Sequence, residues 1–514
     1  MKSKKRIIIL LAAMVLIFFS VFLYKAVDWT NLNFSDLTFG QILFHLKVPL
    51  VGTDTTIIES FMEIVVMPAI KISLIFFGIN IIHEKFASKM KFNLILFSKS
   101  KRLKPFTINV FPGIISAITA TLFSFILIGV ALSNAHTYFD FFGYLSAQIT
   151  QSSFIEKNYV SPENVLIFPQ EKKNLIYIYM ESMENTFGSR LDGGAFKENF
   201  MPELTEIAKE NATFSDKQAV LGGNPPTVGT GWTMAAMFSH STGLPLKVPV
   251  QGNSLSDFST FFPGAISIGQ ILKEEGYKNY LMLGSDATFG GRRNFYTLHG
   301  DYEIYDYDVA IEKQVIPEDY KVWWGFEDEK LYSWAKEELI EISKKEEPFN
   351  FTMLTVDTHH EDGYVCSLCE EEFDDQYANV IACASRQIDD FIKWIQDQDF
   401  YENTSIVIVG DHPTMDSDFK EDINRNYTST TYNTFINSGV SVSEERLRNR
   451  DFYAFDLFPT TLASLGVGIM GDRVALGTNL FSDEDTLFEI HGKSMHEELL
   501  KKSRFYDNKF LFEK

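Results

Sequence analysis

Apolar residues along this chain fall into two regimes. Over the first 132 residues they run in long blocks, and beyond about residue 170 they come as short runs between amphipathic stretches. Residues 7–24 contain no charge and are long enough to cross a bilayer as a helix. A second block, 64–82, carries a single charge, Lys71, and a third covers 111–132 with Pro112 at its entry. The pattern predicts a transmembrane region over 1–132 with spans at about 7–24, 64–82 and 111–132. Lys2, Lys4, Lys5 and Arg6 before the first run also suit a signal peptide. The run exceeds a usual signal-peptide core, and no small-x-small site follows before Lys25, so an uncleaved anchor is expected. Lys71 is expected to snorkel or to face a cavity. The segment "FGQILFHLKVPLVGT" (39–53) is too broken to span and is expected at the outer interface.

Downstream, "NLIYIYMES" (174–182), "YKNYLMLGSD" (277–286), "FNFTMLTVDTHH" (349–360) and "SIVIVGDH" (405–412) read as buried strands. Between them "MPELTEIAKENA", "IGQILKEEG" and "VIACASRQIDDFIKWIQ" have helical spacing. Alternation of this kind predicts an α/β domain, a mostly parallel sheet between helices. Residues 133–168 read as a juxtamembrane linker, 169–490 as the catalytic domain and 491–514 as a C-terminal tail.

Charge divides at the same boundary. Residues 1–150 hold 14 Lys and Arg against 7 Asp and Glu, leaving 32 basic and 61 acidic residues for the remainder. So acidic a body argues against nucleic acid as a partner. Eleven of the 14 basic residues sit before the first span or between the second and third, where Lys85, Lys89, Lys91, Lys99, Lys101, Arg102 and Lys104 cluster. By the positive-inside rule the N-terminus and the 84–106 loop are cytoplasmic, and everything after about residue 133 is extracytoplasmic.

Candidate chemistry lies where the strands end. Glu181 closes the first; Asp286 follows the second; Asp357, His359 and His360 end the third; Asp411 and His412 end the fourth. Ligands of open α/β sheets bind at the carboxyl ends of strands, so these groups are expected to converge on one crevice. Singly, each is an ordinary loop residue; together they resemble a metal site. Their mostly oxygen donors suit Mn²⁺ or Mg²⁺ and are acceptable to Zn²⁺. A hydroxyl can complete the set. In "GGNPPTVGTGWTMAAMFSHSTGLPL" (222–246) a glycine- and proline-shaped loop runs into a helical stretch beginning at Thr233. A hydroxyl there meets free backbone N–H groups and the positive end of the helix dipole, which favours a phosphoryl group. The plain alternative is an N-cap, and the two are compatible.

Cys366, Cys369 and Cys383 are the only cysteines. Outside the membrane, one disulfide joining Cys383 to Cys366 or Cys369, plus a free thiol, is the expectation. The C-x-x-C spacing also resembles half a zinc site, but no second C-x-x-C or H-x-x-x-H lies near it.

"NLIYIYMESMENTF", "GTGWTMAAMFSHSTGLPL", "FGGRRNFYTLHGDYEIYD", "TVDTHHEDGY", "IVGDH" and "FDLFPTTLASLG" occur in this order. In these motifs the chain resembles the membrane-anchored phosphoglycerol transferases of the alkaline phosphatase/sulfatase superfamily, and more closely the branch acting on periplasmic glucans than the lipoteichoic acid synthases. The resemblance covers about residues 150–485. It implies one divalent metal, usually manganese, held by Glu181, Thr233, Asp411 and His412, with Thr233 as nucleophile. It also implies that Arg292 and His359 contact the phosphoglycerol group. Where lipoteichoic acid synthases carry an aromatic residue two positions before that arginine, this chain has Gly290, which weakens the expected grip on the glycerol moiety.

The implied reaction moves phosphoglycerol from a phospholipid donor, phosphatidylglycerol, to a surface glycan or teichoic-type acceptor through a phosphothreonine intermediate. His359 or His360 is expected to protonate the leaving alkoxide or to deprotonate the acceptor. The alternatives are a phosphoethanolamine transferase of the same fold and a metal-dependent phosphodiesterase, with Asp357, His359 and His360 available for a second metal. No C/S-x-P-x-R segment supports a formylglycine sulfatase, and no G-K-[S/T] makes a nucleotide cradle.

Overall fold

A computed structural model of the chain describes residues 2–34, 37–48, 55–87, 92–96, 106–110, 112–249 and 261–512. The chain divides into two compact units, residues 1–37 with 54–143, and residues 38–53 with 144–514.

The first unit is built on three long helices. Lys2–Asn33 is continuous; Thr55–Phe61 passes through one π-helical stretch, Met62–Val66, into Met67–Ala87; and Pro112–Phe139 is the third. Each contains a segment long and apolar enough to cross a membrane: Ile7–Asn33, Thr56–Ile82 and Ala117–Phe139. Ala13, Ile17 and Val21 of the first helix pack with Ala69, Ala117 and Ala120 of the other two. Small side chains let apolar helices approach closely where lipid offers no hydrophobic drive to pair. Lys71 lies on an exposed face. In and beside the 84–106 loop expected to be cytoplasmic, the helix end at Ala87 is followed by two antiparallel strands, Phe92–Leu96 and Phe106–Val110; most of the loop's basic residues lie outside the described residues.

The second unit is organised by a six-stranded sheet. Its strands in chain order are β1 (Asn174–Met180), β2 (Lys278–Leu283), β3 (Glu303–Tyr305), β4 (Phe349–Leu354), β5 (Thr404–Gly410) and β6 (Asn433–Ile436). They lie in the order β3-β2-β4-β1-β5-β6, all parallel except β6, which runs antiparallel to β5. The central strands β1, β4 and β5 are buried along their whole length. Leu175, Tyr177 and Tyr179 of β1 enter one core while Ile176, Ile178 and Met180 enter the other, the period-two alternation of a strand covered on both sides. The sheet is thus the mostly parallel one predicted from the strand–helix alternation. Two strands escaped that reading, β3 and β6, both too short to stand out, as did the helix Asp328–Ser343, whose charged outer face masks its periodicity.

Segments outside the sheet complete this unit. Within residues 38–53, the helix Phe39–His45 sets Phe44 against Trp232 with ring centroids 5.5 Å apart, and Lys47 Nζ donates to the Pro249 carbonyl at 2.6 Å. Leu166–Ile167 pairs with Gly468–Ile469, tying the 133–168 stretch to the end of the domain. Near the C-terminus Met495, Leu499, Tyr506 and Phe510 are buried in the larger core.

Candidate active site

The sheet delivers two carboxylates side by side. β1 and β5 are hydrogen-bonded neighbours whose registers end together at Met180 and Gly410, so the next residues, Glu181 and Asp411, leave adjacent strands at the same level. Backbone bonds fix both. Thr355 Oγ1 accepts from Glu181 N at 3.0 Å, Thr358 Oγ1 donates to the Glu181 carbonyl, and Asp411 Oδ1 accepts from Ser182 N and His412 N, each at 2.8 Å. Ser182 adopts a left-handed backbone, φ 53°, and its hydroxyl donates to Glu181 Oε1 at 3.1 Å. His412 Nδ1 faces the Pro413 carbonyl at 2.8 Å, which turns Nε2 inward; burial opposes its charge, but Asp411 and Glu181 raise its pKa to about 10.

Thr233 arrives from the opposite side. Trp232 is extended (φ −151°, ψ 159°) and Thr233 is the first residue of the helix Thr233–Thr242. The preceding turn needs glycine: at Gly229, φ 69°, a Cβ would lie 2.5 Å from the Leu246 carbonyl oxygen. Ser239 Oγ and Leu246 N both donate to the Gly229 carbonyl, at 3.1 and 3.0 Å, locking turn to helix. Gly243 closes the helix in the left-handed region.

These pieces meet in one cluster. Thr233 Oγ1 is 3.3 Å from Glu181 Oε2 and 3.3 Å from His412 Nε2; His412 Nε2 is 3.3 Å from Glu181 Oε1 and 3.4 Å from Asp411 Oδ2. Four ligands about 2.1 Å from one ion at tetrahedral corners stand about 3.4 Å apart, close to these four separations, and the Glu181, Asp411 and His412 donors lie within 4.8 Å of one another. Charge points the same way. Glu181, Asp411 and His412 are all buried, and Asp411 Oδ2 has no hydrogen-bond partner. Burial and the Glu181 charge push Asp411 up to about 7. Burial also opposes ionisation of Glu181, but the hydrogen bond and charge of His412 hold it well below the usual carboxylate range. Two carboxylates buried together favour positive charge beside them, which protonated His412 supplies; Glu181, Asp411 and His412 could together hold a metal ion instead.

Arg292 and His359 face this cluster electrostatically. Arg292 begins the helix Arg292–Leu298 behind Gly290 and Gly291, both at positive φ. Its guanidinium is buried, donates to Ser285 Oγ at 3.2 Å and the Asp286 carbonyl at 3.1 Å, and leaves Nε unpartnered. Burial lowers its pKa to about 10 against the pull of the Glu181 charge. His359 is lowered by burial, while Glu181 raises it and His412 and Arg292 lower it further. Its Nδ1 lies 2.7 Å from the His360 carbonyl, and the His360 ring stacks on it at 4.9 Å.

Two strand-end residues do not join. Asp286 sits with Asp306 and Asp308 beside Arg293. Asp357 Oδ1 accepts from Asp328 N at 3.1 Å, at the start of the helix Asp328–Ser343, while the Asp328 carboxylate accepts from Val356 N and Asp357 N. One oxygen of the Asp357 carboxylate, offered with His359 and His360 for an alternative second metal, is thus engaged by a helix terminus, while Oδ2 is buried without a partner. Sequence reasoning missed an aromatic wall beside the site. His45 stacks on Phe289, Phe289 meets Trp324 and Trp324 meets His359 at tilted angles, with centroids 6.4, 5.2 and 4.8 Å apart, and the Arg292 guanidinium lies over Phe289 at 5.4 Å. Two adjacent tryptophans before a glycine, 323–325, were the available signal.

A family model described as Sulfatase matches residues 173–467, more than half of the chain. The chain belongs to the sulfatase family. Phosphoglycerol transferase I of Escherichia coli strain 55989 is 32% identical to it over 285 residues, 54% of this chain and 36% of that protein. The matched part is thus about a third of the length of these curated relatives. Among solved structures, lipoteichoic acid synthase LtaP from Listeria monocytogenes is 20% identical with a TM-score of 0.47, covering 64% of this chain and 80% of that one. The lipooligosaccharide phosphoethanolamine transferase EptA of Neisseria meningitidis is 12% identical with a TM-score of 0.48, covering 88% and 84%. With its three apolar helices, this member of the family is a membrane protein carrying a sulfatase-like enzyme domain.

The cysteines depart from expectation. All three are free thiols; Cys366 Sγ is 3.6 Å from Cys369 Sγ and 3.7 Å from Cys383 Sγ.

Proposed function

We propose that this enzyme transfers phosphoglycerol from phosphatidylglycerol, in the outer leaflet of the cytoplasmic membrane, to a hydroxyl of a surface glycan or teichoic-type polymer. The observation that carries the reading is the Thr233 hydroxyl, 3.3 Å from both Glu181 and His412 at the head of a helix. The 32% identity to phosphoglycerol transferase I supports the transferred group. Basic residues before the first span and between the second and third support a multi-pass arrangement with the N-terminus cytoplasmic and the catalytic unit outside.

In this reading Glu181, Thr233, Asp411 and His412 hold one divalent ion, manganese by family resemblance. A bound ion supplies the Lewis acidity that lowers the pKa of the threonine hydroxyl. With its hydroxyl proton given up to water, Thr233 Oγ1 would attack phosphorus; its bond to phosphorus forms as the bond to the diacylglycerol oxygen breaks. His359 delivers a proton to that leaving oxygen, with His360 held against its ring. Arg292 neutralises charge on the non-bridging oxygens from a buried position where water does not screen it. The acceptor hydroxyl repeats the attack on the phosphothreonine as His359 takes back its proton, releasing Thr233.

The test supplies the full-length chain in detergent with labelled phosphatidylglycerol or phosphatidylethanolamine and Mn²⁺. Diacylglycerol release from the glycerol lipid by wild type, with a phosphoglycerol mass increment on the Thr233 peptide and neither in Thr233→Ala, is expected. Release from the ethanolamine lipid alone overturns the headgroup assignment. Undiminished release by Thr233→Ala overturns the nucleophile.

A further inference from the structure

Away from the active site the structure gathers a second set of ligand-bearing side chains. Cys366 and Cys369 lie on the loop that leaves β4, and Cys383 and Gln387 lie one turn apart on the helix Gln376–Gln396, so both point at that loop. The three sulfurs are within 4.8 Å of one another, two of the pairs at 3.6 and 3.7 Å. Thiolates bound to zinc at about 2.3 Å in a tetrahedron stand about 3.8 Å apart. Gln387 covers the remaining side. It is buried, and its carboxamide nitrogen is 3.4 Å from Cys383 Sγ and 3.7 Å from Cys366 Sγ, while its carboxamide oxygen has no hydrogen-bond partner. Amide oxygen and nitrogen are interchangeable by a flip. With oxygen inward, the same two separations bracket the distance of about 3.6 Å between oxygen and sulfur ligands of one zinc ion. A disulfide has no use for a third sulfur or for a buried amide aimed at the group.

We propose that Cys366, Cys369 and Cys383 bind one zinc ion as thiolates, with the Gln387 carboxamide closing the fourth position. Three soft thiolates select zinc over manganese or magnesium. The three thiol protons pass to water as the ion binds, and no oxidant or reductant is needed. The resulting site has a net charge of −1, which Arg386, in electrostatic reach of Cys383, offsets. The loop it fastens also carries His359 and Arg386's partner Glu372. A metal there staples the far end of the histidine-bearing loop to the helix Gln376–Gln396.

The proposal is independent of which group the enzyme transfers, so its test reads the metal. The full-length chain, purified in detergent without reductant and loaded with Mn²⁺, is treated with a thiol-specific mercurial in the presence of a chromogenic zinc chelator. Release of one equivalent of zinc on mercurial addition is expected from wild type and from Glu181→Gln, and none from Cys369→Ser. Cobalt-loaded wild type should show a near-ultraviolet sulfur-to-cobalt charge-transfer band, retained in Glu181→Gln. A folded wild type that releases no zinc and has a mass two hydrogens low, with two of the cysteines linked in one peptide pair, overturns the site. Three freely alkylated thiols in folded wild type without zinc release overturn it equally. The wild-type readouts stand even if Cys369→Ser fails to fold.

Discussion

The two units solve the burial of apolar residues in opposite ways. In the N-terminal unit Ile8, Phe19, Leu74, Phe125 and Ile126 are each 58% or more exposed, and the polar side chains buried among its described residues, Ser20, Ser73, Asn80 and Ser124, are all uncharged. In the catalytic unit the strands bury both faces, yet Glu181, Arg292, Asp328, Asp357, Asp411, His412 and Asp456 are buried too. A membrane protein turns its apolar side chains outward to lipid and avoids interior charge. An enzyme domain in water keeps them inside and tolerates charge only where partners hold it. The contrast says where a charge can be added, and where one cannot be removed.

The largest effect follows from adding a charge to the sheet. Ile178 in β1 is fully buried, and Ile178→Asp places an uncompensated carboxylate in the core on one face of the sheet. The expected cost of several kcal/mol approaches the whole stability of a domain, so the catalytic unit should lose its cooperative thermal transition. The same change at Leu74, 58% exposed, should leave that transition unmoved in detergent while costing about 2.5–3.5 kcal/mol in membrane insertion. Equal losses of the transition in both variants would erase the distinction between the units.

Removing charge from the site comes next. Asp411→Asn keeps the shape but halves the anionic character beside Glu181, and should abolish Mn²⁺-dependent turnover at metal concentrations that saturate wild type. Arg292→Lys keeps the charge but loses the planar fork and the bond to Ser285. A fall in kcat/KM on the order of 10²–10³ is expected, as for loss of one donor to a reacting oxyanion. A loss confined to KM would make Arg292 a ground-state anchor only.

Much of this was legible in the sequence because it is written locally. The buried strands are continuous apolar runs, and Glu181 and Asp411 are the first acidic residues after them, so the shared register of β1 and β5 makes them neighbours. The fate of Asp286 and Asp357 was not legible. Each also follows a strand, but Asp286 turns to its own loop, accepting from Thr288 N beside Arg293, and Asp357 accepts from the start of the Asp328 helix. The aromatic wall was not legible either: His45, Phe289, Trp324 and His359 come from four distant segments, and no period links them. The cysteine triangle needed a loop to fold back onto one face of a helix, which spacing alone does not specify.

The smallest effect tests a buried charge that serves structure. Asp456 begins the helix Leu457–Ser464 and accepts from Tyr453 N at 2.8 Å and Thr478 N at 2.7 Å. Burial pushes it up to about 7, despite those bonds and the pull of Arg450. Because the folded pKa lies above the ordinary value of 3.8, its contribution to stability is complete below about pH 4 and is lost as pH rises through 7. Between pH 6 and 8 the loss amounts to about 1–2 kcal/mol. Asp456→Asn retains an oxygen for one of the two N–H groups, which costs a constant amount but removes the proton linkage. Denaturant titrations at pH 6 and 8 should therefore give a smaller difference for the variant than for wild type. An equal difference in both would mean that the two N–H bonds already keep Asp456 ionised across this range, as Glu181 is kept by His412.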